Sequence, residues 1–223
     1  MKILAFDTAT SQCTSALWID GHVREISVHA GQTHSSLVLP HCRQLLDEAG
    51  LRLQALDGIA FGCGPGSFTG VRIACAVAQG LALGADLPLV GIETLLALTR
   101  SADGDRVLTC LDARMGEVYC AAWMRGADGG WQTLGPTVVC APGEVPVPDG
   151  AGWRGCGSGF SVYADALEAR FEGCVEVVDG ERLPSASRIA ELAQHELGRG
   201  GVAPELALPL YVRDRVALKI SER

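Results

Sequence analysis

Hydroxyl and carboxylate side chains cluster just after the first apolar stretch of the chain, in Phe6-Asp7-Thr8-Ala9-Thr10. Residues 2–7 have the composition of a buried strand, and α/β proteins often place ligand contacts at the carboxyl ends of their strands. Asp7 and Thr8 could therefore contact a ligand. A polar turn leading into a hairpin would have the same composition, so both interpretations stay open.

A glycine-rich segment before a predicted helix is the second candidate for binding chemistry. It reads Gly64-Pro65-Gly66-Ser67-Phe68-Thr69-Gly70-Val71-Arg72, and free N–H groups at the start of a helix, together with the helix dipole, can hold an anion. The segment is neither a Walker loop nor a dinucleotide fingerprint, because no Lys-Ser/Thr pair follows and Thr69 stands in place of the third glycine. The residues predicted to form a ligand or anion loop are Asp7, Thr8, Gly66, Ser67, Thr69 and Arg72.

Two side chains of this segment have further interpretations. The Arg72 guanidinium could hold a phosphate or a carboxylate, or it could pair with an acid across the molecule. Phe68, which lies between two hydroxyl residues, is predicted to insert into the core.

Charged residues flank a predicted turn later in the chain, in Leu111-Asp112-Ala113-Arg114-Met115-Gly116-Glu117-Val118-Tyr119. Asp112, Arg114 and Glu117 could clamp a ligand, or an internal ion pair could stiffen the turn. Both interpretations stay open. The segment supplies no nucleophile paired with a base in the Ser–His or Cys–His manner.

The histidines and cysteines do not predict a metal site. His34 and His41 are seven residues apart in sequence, which separates them by about 10 Å along a helix that rises about 1.5 Å per residue. No HxxxH or HExxH pattern occurs, and no two of the nine cysteines are closer than ten residues, which excludes a CxxC knuckle. We expect free thiols in a reducing compartment.

Composition places the chain among globular proteins. Its 223 residues are 48% hydrophobic and 20% charged, with a net charge of −8, whereas a protein that grips nucleic acid by itself usually has a basic face. Any RNA is therefore expected to be held by another chain. Asp7 interrupts what would be the apolar region of a signal peptide, and no apolar stretch approaches about 20 residues, so we expect a cytoplasmic protein without a membrane segment.

Apolar periodicity predicts the elements that position these residues. In the first half, strands are predicted at 2–7, 14–19, 23–28, 56–62 and 88–91, and helices at 36–49, 71–84 and 93–100. Asp20-Gly21 is a hairpin turn dipeptide, and Gly50 is predicted to cap the end of the helix at 36–49. Pro40 predicts a helix start near Ser36, because proline is tolerated within about the first four helical positions. Residues 62–70 are predicted to be a loop, since their glycines and proline interrupt any ladder.

A polar stretch at 101–105 marks the predicted boundary between a lobe of residues 1–102 and a lobe of residues 103–223. In the second half, strands are predicted at 107–112, 118–124, 137–140 and 175–178, helices at 161–171 and 187–197, a turn at Gly129-Gly130 and a surface loop at 142–152. Both halves run as a strand meander followed by alternating helix and strand, which predicts two related α/β lobes.

The helix predicted at 71–84 is rich in small residues. Ala74, Cys75, Ala78, Ala82 and Gly84 would let a neighbouring backbone approach closely. This face could pack under the chain's own sheet or could serve an intermolecular helix bundle, and both interpretations stay open.

Five segments, taken in order, resemble the TsaB family, the glycoprotease-like proteins of bacterial tRNA threonylcarbamoyladenosine synthesis. They are Ile3-Leu4-Ala5-Phe6-Asp7-Thr8, His34-Ser35 with Leu39-Pro40, the glycine-rich segment, Leu111-Asp112-Ala113-Arg114 with Glu117-Val118-Tyr119, and Pro209-Leu210-Tyr211-Val212-Arg213. The likeness spans nearly the whole chain. Its specific parts are the glycine-rich segment and Asp112-Ala113-Arg114.

The resemblance implies an α/β protein with the two-lobed actin-like fold (ASKHA, ribonuclease H-like) of mixed sheets and helices. It also implies a pseudo-enzyme with no catalytic residue, metal or cofactor of its own, with residual ADP or ATP binding at the complex interface left open. The implied partners are the catalytic protein TsaD, whose metal is held by an HxxxH pair that this chain lacks, and the ATPase TsaE. The chain would serve as a scaffold for threonylcarbamoyl transfer to adenosine 37 of tRNAs that decode ANN codons, and would reach tRNA only through the complex.

The resemblance further implies pairing through helices of the first lobe, with TsaD or as a homodimer when the chain is alone. Carried onto this sequence, the predicted interface residues are Leu37, His41, Leu45, Val71, Ala74, Cys75 and Ala78. The competing hypothesis is an ATP-dependent kinase or metallohydrolase on the same fold, which predicts tight nucleotide or metal binding by the isolated chain. The missing phosphate-loop lysine and histidine pair count against it.

Overall fold

The first of two mixed sheets is built from the N-terminal half of the chain. A computed structural model describes residues 1–101 and 104–213. The strand order of this sheet is β3-β2-β1-β4-β5, with the strands β1 (Lys2–Asp7), β2 (Gln12–Ile19), β3 (His22–His29), β4 (Gly58–Gly64) and β5 (Leu89–Glu93). The strands β1 to β3 form an antiparallel meander, and β4 and β5 extend the sheet in parallel.

Helices cover both faces of this sheet, which explains why β1 is an unbroken apolar run. Successive side chains of a strand point to opposite faces. Leu4 and Phe6 pack towards α1 (His34–Glu48) and α2 (Phe68–Ala85), whereas Ile3 and Ala5 pack against α5 (Ala186–Gly198). All four side chains are fully buried.

The second sheet repeats the same strand connectivity. Its order is β11-β10-β6-β7-β8, with β9 also paired to β7. The strands are β6 (Arg106–Arg114), β7 (Glu117–Arg125), β8 (Trp131–Thr133), β9 (Val138–Cys140), β10 (Trp153–Cys156) and β11 (Val175–Asp179). The short helices α3 (Gly159–Val162) and α4 (Ala164–Phe171) pack on one face through Phe160, Leu167 and Phe171. An antiparallel meander followed by two parallel strands thus occurs twice, and the prediction of two related α/β halves is confirmed.

The chain returns to the first sheet after completing the second. Helix α5 lies against β1, β2, β4 and β5, and Val202 pairs with Leu89 of β5. The residues next to the predicted lobe boundary, 102 and 103, lie outside the described residues, as do residues 214–223. The division into lobes of 1–102 and 103–223 therefore stays a prediction.

Local signals located several element ends correctly. Asp20 and Gly21 both have positive φ values, 47° and 93°, as a tight hairpin turn between β2 and β3 requires. Gly50 follows α1 with a φ of 64°, as is common for a glycine just after a helix. The Ser185 hydroxyl accepts a hydrogen bond from the Arg188 N–H at the start of α5, a helix cap that was not predicted.

The expected start of α1 near Ser36 is wrong. The helix begins at His34 and contains Pro40 in its interior. Pro40 removes one hydrogen bond to the Ser36 carbonyl, but both residues are exposed, so water can take the place of the missing N–H donor.

The expected loop at 62–70 is also wrong, because β4 continues to Gly64 and α2 begins at Phe68. Only three residues lie between them, and the Ser67 hydroxyl accepts from the Gly70 N–H as a helix cap. Smaller errors affect the second half and the linker. Strands β8 and β10 were not predicted, the helix expected at 161–171 is interrupted at Tyr163, and the helix expected at 93–100 is a 3₁₀ turn, Leu96–Ser101.

Helix α2 differs from the other helices in its composition. Within the described residues it alone is long and apolar enough to cross a membrane by length and composition, with a mean hydropathy of 1.4 over 18 residues. The core helix of a globular protein can have the same composition, and α2 packs one face on β4. Arg72 is its one charged residue.

Candidate functional site

A cleft of about 1100 Å³ lies between the two halves of the molecule. Its walls come from the segments 9–11 and 65–71 of the first half, the segments 111–114 and 158–162 of the second half, and residues 210–213 near the C-terminus. Most residues that the sequence marks as candidates for binding chemistry lie in or beside this cleft.

Asp7 and Thr8 do not face the cleft, although both were predicted to contact a ligand there. Both are fully buried. The Thr8 hydroxyl donates to the Gly70 carbonyl at 2.7 Å, and the Ala9 N–H donates to the Asp7 carboxylate at 2.9 Å. Of the two interpretations of this segment, the geometry therefore favours the polar turn, because the turn after β1 is sealed by the start of α2.

The burial of Asp7 changes its acidity. Loss of water raises the pKa of its carboxyl from 3.8 to about 7, against smaller lowering effects from the Ala9 N–H and from Thr94. The Thr94 hydroxyl oxygen accepts a hydrogen bond from the Gly64 N–H at 3.1 Å. Oδ2 of Asp7 has no hydrogen-bond partner within the described residues. Asp7 is thus a structural acid that is costly to ionise.

Gly62 and two glycines of the glycine-rich segment are required by this packing. A Cβ atom on Gly62 would overlap the Asp7 carboxylate, and one on Gly70 would overlap the Thr8 carbonyl. Gly66 has the same relation to the Ala9 carbonyl. These residues therefore allow two backbone segments to touch, which is a reason for glycine that does not involve a ligand.

The cleft is lined by Gly66, Ser67 and Thr69, as expected for a ligand loop. Some of their polar groups already form hydrogen bonds within the chain. The Ser67 N–H donates to the Ala9 carbonyl at 2.7 Å, and its side chain caps α2. These contacts position the start of α2. An anion contact at these residues stays a prediction.

Within the described residues no acidic side chain pairs with Arg72, and a phosphate or carboxylate contact at its guanidinium stays a prediction. Its guanidinium lies 3.3 Å from the centre of the Phe68 ring, and its Nε donates to the Tyr211 hydroxyl at 2.8 Å. Phe68 is 40% exposed and stacks beneath this guanidinium, so the prediction that it inserts into the core is wrong.

The three charged residues at the β6–β7 turn do not form one clamp. Asp112 pairs with Arg114 at 3.1 Å and accepts from the Tyr163 hydroxyl at 3.1 Å, whereas Glu117 pairs with Arg213 at 2.5 Å. The Arg114 side chain is 81% exposed, so its pair is screened by solvent. The internal ion pair is thus present, but Asp112 and Arg114 also line the cleft, and a ligand contact at these two residues stays a prediction.

The predicted partner interface is wrong for six of its seven residues, because they form the chain's own core. Those six residues are at most 8% exposed and are His41, Leu45, Val71, Ala74, Cys75 and Ala78. Leu37 is half-buried and packs against the same core. Four of the five small residues predicted on α2 lie under the chain's own sheet, as one of the two interpretations had it, whereas Gly84 is exposed. A substitution such as Ala74→Glu would disrupt folding.

Among residues 1–101 and 104–213, none covers the opposite face of α2. Ala76, Gly80, Leu83 and Gly84 are exposed, and Leu83 alone is 73% exposed. Helix α1, which contacts α2, also exposes Leu39, at 47%, and Pro40. An uncharged and largely apolar helix face open to solvent is uncommon on a monomer and is typical of a protein contact. Sequence periodicity missed it because small residues occupy both faces of α2.

Comparisons with known proteins agree on the family to which the chain is similar. A family model described as TsaD, tRNA N6-adenosine threonylcarbamoyltransferase, matches residues 26–145. A protein of Escherichia coli named tRNA threonylcarbamoyladenosine biosynthesis protein TsaB is 39% identical over 228 residues, covering 98% of this chain and 97% of that protein. Its namesake from Haemophilus influenzae is 35% identical over 233 residues, covering 98% and 96%.

A solved structure gives the same result for the fold. The structure described as YeaZ from Pseudomonas aeruginosa is 38% identical in sequence and has a TM-score of 0.84, covering 94% of this chain and 99% of that one. The expected actin-like fold is thereby confirmed.

Proposed function

The chain belongs to the TsaB family of tRNA threonylcarbamoyladenosine biosynthesis proteins, and from this premise we propose that it is a non-catalytic subunit of the threonylcarbamoyl transfer machinery. In this proposal it forms a heterodimer with TsaD, recruits TsaE, and supports modification of adenosine 37 in tRNAs that decode ANN codons. The proposal rests on one contrast in the structure: the end of β1 is sealed inside the fold, whereas one face of α2 is open to solvent.

The sealed strand end supports a role other than catalysis. The turn after β1 reaches the cleft at residues 9–11, yet Asp7 and Thr8 are fully buried and hydrogen-bonded to neighbouring backbone. A carboxyl group that is costly to ionise and that does not line the cleft is poorly placed to bind a metal or to activate water.

The open helical face supports a partner. Between Ile73 and Ala85, α2 carries no charged residue. The exposed Ala76, Gly80 and Gly84 would let another helix approach closely, and Leu83 would supply apolar area. We propose that this outward face, with Leu39 of α1, binds TsaD, and that a second copy of the chain takes its place when TsaD is absent.

Charge supports an indirect relation to tRNA. The net charge of −8 disfavours a phosphate-binding surface on this chain. We propose that TsaD and TsaE supply the contacts to tRNA in the cytoplasm, with no membrane involved.

A charge placed on the open face tests the partner surface. Leu83→Glu should leave the fold intact because the side chain is exposed, and should weaken TsaD binding by roughly 100-fold or more through burial of an unpaired carboxylate. The matched control is Leu134→Glu, which makes the same change at a residue of the second half that is 51% exposed. Calorimetric titration with TsaD measures both. Equal affinities of the two variants would overturn the assignment of the surface.

The cleft defines where nucleotide binding should be sought. We propose that the isolated chain holds no resident cofactor and that any ADP or ATP bound to the assembled complex is held at its interfaces. Titration of the isolated chain with ATP and Mg²⁺ checks this proposal. Tight binding that depends on the cleft residues would favour the kinase or hydrolase alternative.

A further inference from the structure

Residues 207–213, here called the strap, lie along the cleft and contact both halves of the molecule. Residues 210–213 line the cleft. The strap contains the Pro209-Leu210-Tyr211-Val212-Arg213 motif, which the proposed function leaves without a role.

The first part of the strap is bound to β4 and α2. The Leu210 N–H donates to the Cys63 carbonyl at 2.7 Å, and the Gln79 amide donates to the Ala207 carbonyl at 3.0 Å. A Cβ atom on Gly64 would lie 2.7 Å from the Leu210 carbonyl oxygen, and Gly64 has a φ of 111°. The absence of a side chain at Gly64 thus allows the strap to pack against the end of β4 in the first half.

Tyr211 adds a second anchor on the same half. Its hydroxyl accepts from Arg72 Nε, and its ring lies 6.1 Å from the Phe68 ring, with the Arg72 guanidinium near both rings. Stacking of a guanidinium on aromatic rings adds to the hydrogen bond. The strap is therefore held to the start of α2 by side chains as well as by backbone.

Arg213 anchors the other end of the strap to the second half. Its Nη2 donates to the Ala113 carbonyl at 3.0 Å and to Glu117 Oε2 at 2.5 Å. The Arg213 side chain is 15% exposed and that of Glu117 is 38% exposed, so solvent screens this pair less than a surface pair. Val212 packs into the same apolar cluster as Tyr119.

The hairpin that receives Arg213 has an unusual backbone. Arg114, Met115 and Gly116 have consecutive positive φ values of 62°, 58° and 80°. Non-glycine residues adopt this region at a cost and keep it only where surrounding contacts enforce it. The Met115 sulfur lies 3.4 Å from Arg213 Nη1, so the strap contacts the turn on both sides of Arg114.

We propose that the strap is a latch that bridges the two walls of the cleft and fixes one orientation of the two halves. Its anchors lie on opposite halves, so the halves cannot separate unless either the contacts of Leu210 and Tyr211 or the contacts of Arg213 break. Closure of two lobes around a cleft is a common source of motion in proteins. The latch opposes that motion and presents the halves to partners as one rigid body.

Hydrogen exchange of the full chain tests the latch. Arg213→Ala removes the charged hydrogen bonds to the second half, so the Leu210 amide should exchange about tenfold faster. A latch also predicts faster exchange on both walls of the cleft, in the segments 65–71 and 158–162. Faster exchange confined to 207–213 would show a strap that peels away without opening the cleft, and unchanged exchange would show a strap that restrains nothing. Either result overturns the proposal.

Two further variants make the test decisive. Arg125→Ala is the matched control, because Arg125 also pairs with an acid, Asp105 at 3.5 Å, and stacks on Trp131, but lies away from the strap. It should leave the cleft segments unchanged. Glu117→Gln weakens the latch without removing Arg213, and it decides the question if Arg213→Ala fails to fold. It should accelerate exchange in the same segments by a smaller factor.

Discussion

Replacing Asp7 by asparagine should remove a large part of the pH dependence of the unfolding free energy. The carboxyl is fully buried, and burial raises its pKa from 3.8 to about 7. Between these two values the folded chain holds a proton that the unfolded chain has released. The stabilisation is therefore fully present below pH 3.8 and is lost as the pH rises through about 7.

The expected magnitude follows from the two pKa values. At about 1.36 kcal/mol per pKa unit, Asp7 alone should lower the stability of the wild type by roughly 2.5 kcal/mol between pH 5 and pH 8. The Asp7→Asn variant lacks this loss. The difference between the two unfolding free energies should therefore change by that amount over the interval, in favour of the variant at high pH.

Urea unfolding at pH 5, 6, 7 and 8, followed by tryptophan fluorescence, measures this difference at each pH. Asp105→Asn, made at an exposed residue, controls for the loss of one carboxylate. Parallel curves for wild type and Asp7→Asn would refute the reasoning. They would mean that water reaches the end of β1, and would restore Asp7 as a candidate ligand contact in the cleft.

Three further predictions concern the helices of the first half. Gly70→Ala should destabilise the chain by about 3 kcal/mol or more, because the added Cβ would overlap the Thr8 carbonyl. Gly80 has open space around it, so Gly80→Ala should be neutral or stabilising by up to about 1 kcal/mol. Urea unfolding measures both changes. Burial lowers the pKa of His41 below its usual 6.5, so the wild type should lose stability as the pH falls below that value, and His41→Gln should lack this loss in unfolding experiments below pH 7. Ala74→Glu should prevent folding, whereas Ala76→Glu on the exposed face should change stability by no more than about 0.5 kcal/mol and should weaken TsaD binding; circular dichroism and titration separate the two.

Features that depend on neighbouring residues were predictable from the sequence. The turn at Asp20-Gly21, the cap residue Gly50 and the apolar run of β1 each reflect a local backbone preference or the pleat of a strand. The segments that carry the family resemblance could also be identified in the sequence, because the glycine-rich segment and Asp112-Ala113-Arg114 are specific.

Features that depend on distant contacts were not predictable from the sequence. Arg72 and Tyr211 are 139 residues apart in sequence, and Arg213 and Glu117 are 96 residues apart. No local sequence pattern therefore indicates these pairs. The glycines of 62–70 suggested a loop, but their role is to let α2 touch the end of β1.

The inward and outward faces of α2 could not be told apart for a similar reason. Ala74 and Ala78 on one side resemble Ala76 and Gly80 on the other in size and polarity. Only the packing on β4 shows which face is buried and which is open to solvent.

Reconstitution of threonylcarbamoyl transfer to unmodified tRNA tests the central claim most directly. TsaD and TsaE are supplied with threonylcarbamoyl-adenylate and ATP, without this chain, with it, or with its Leu83→Glu variant, and the chain is also assayed alone. A non-catalytic subunit predicts product only from the set that contains the wild-type chain together with TsaD and TsaE, and little product with Leu83→Glu. Full activity without the chain, or transfer by the chain alone, would contradict the account.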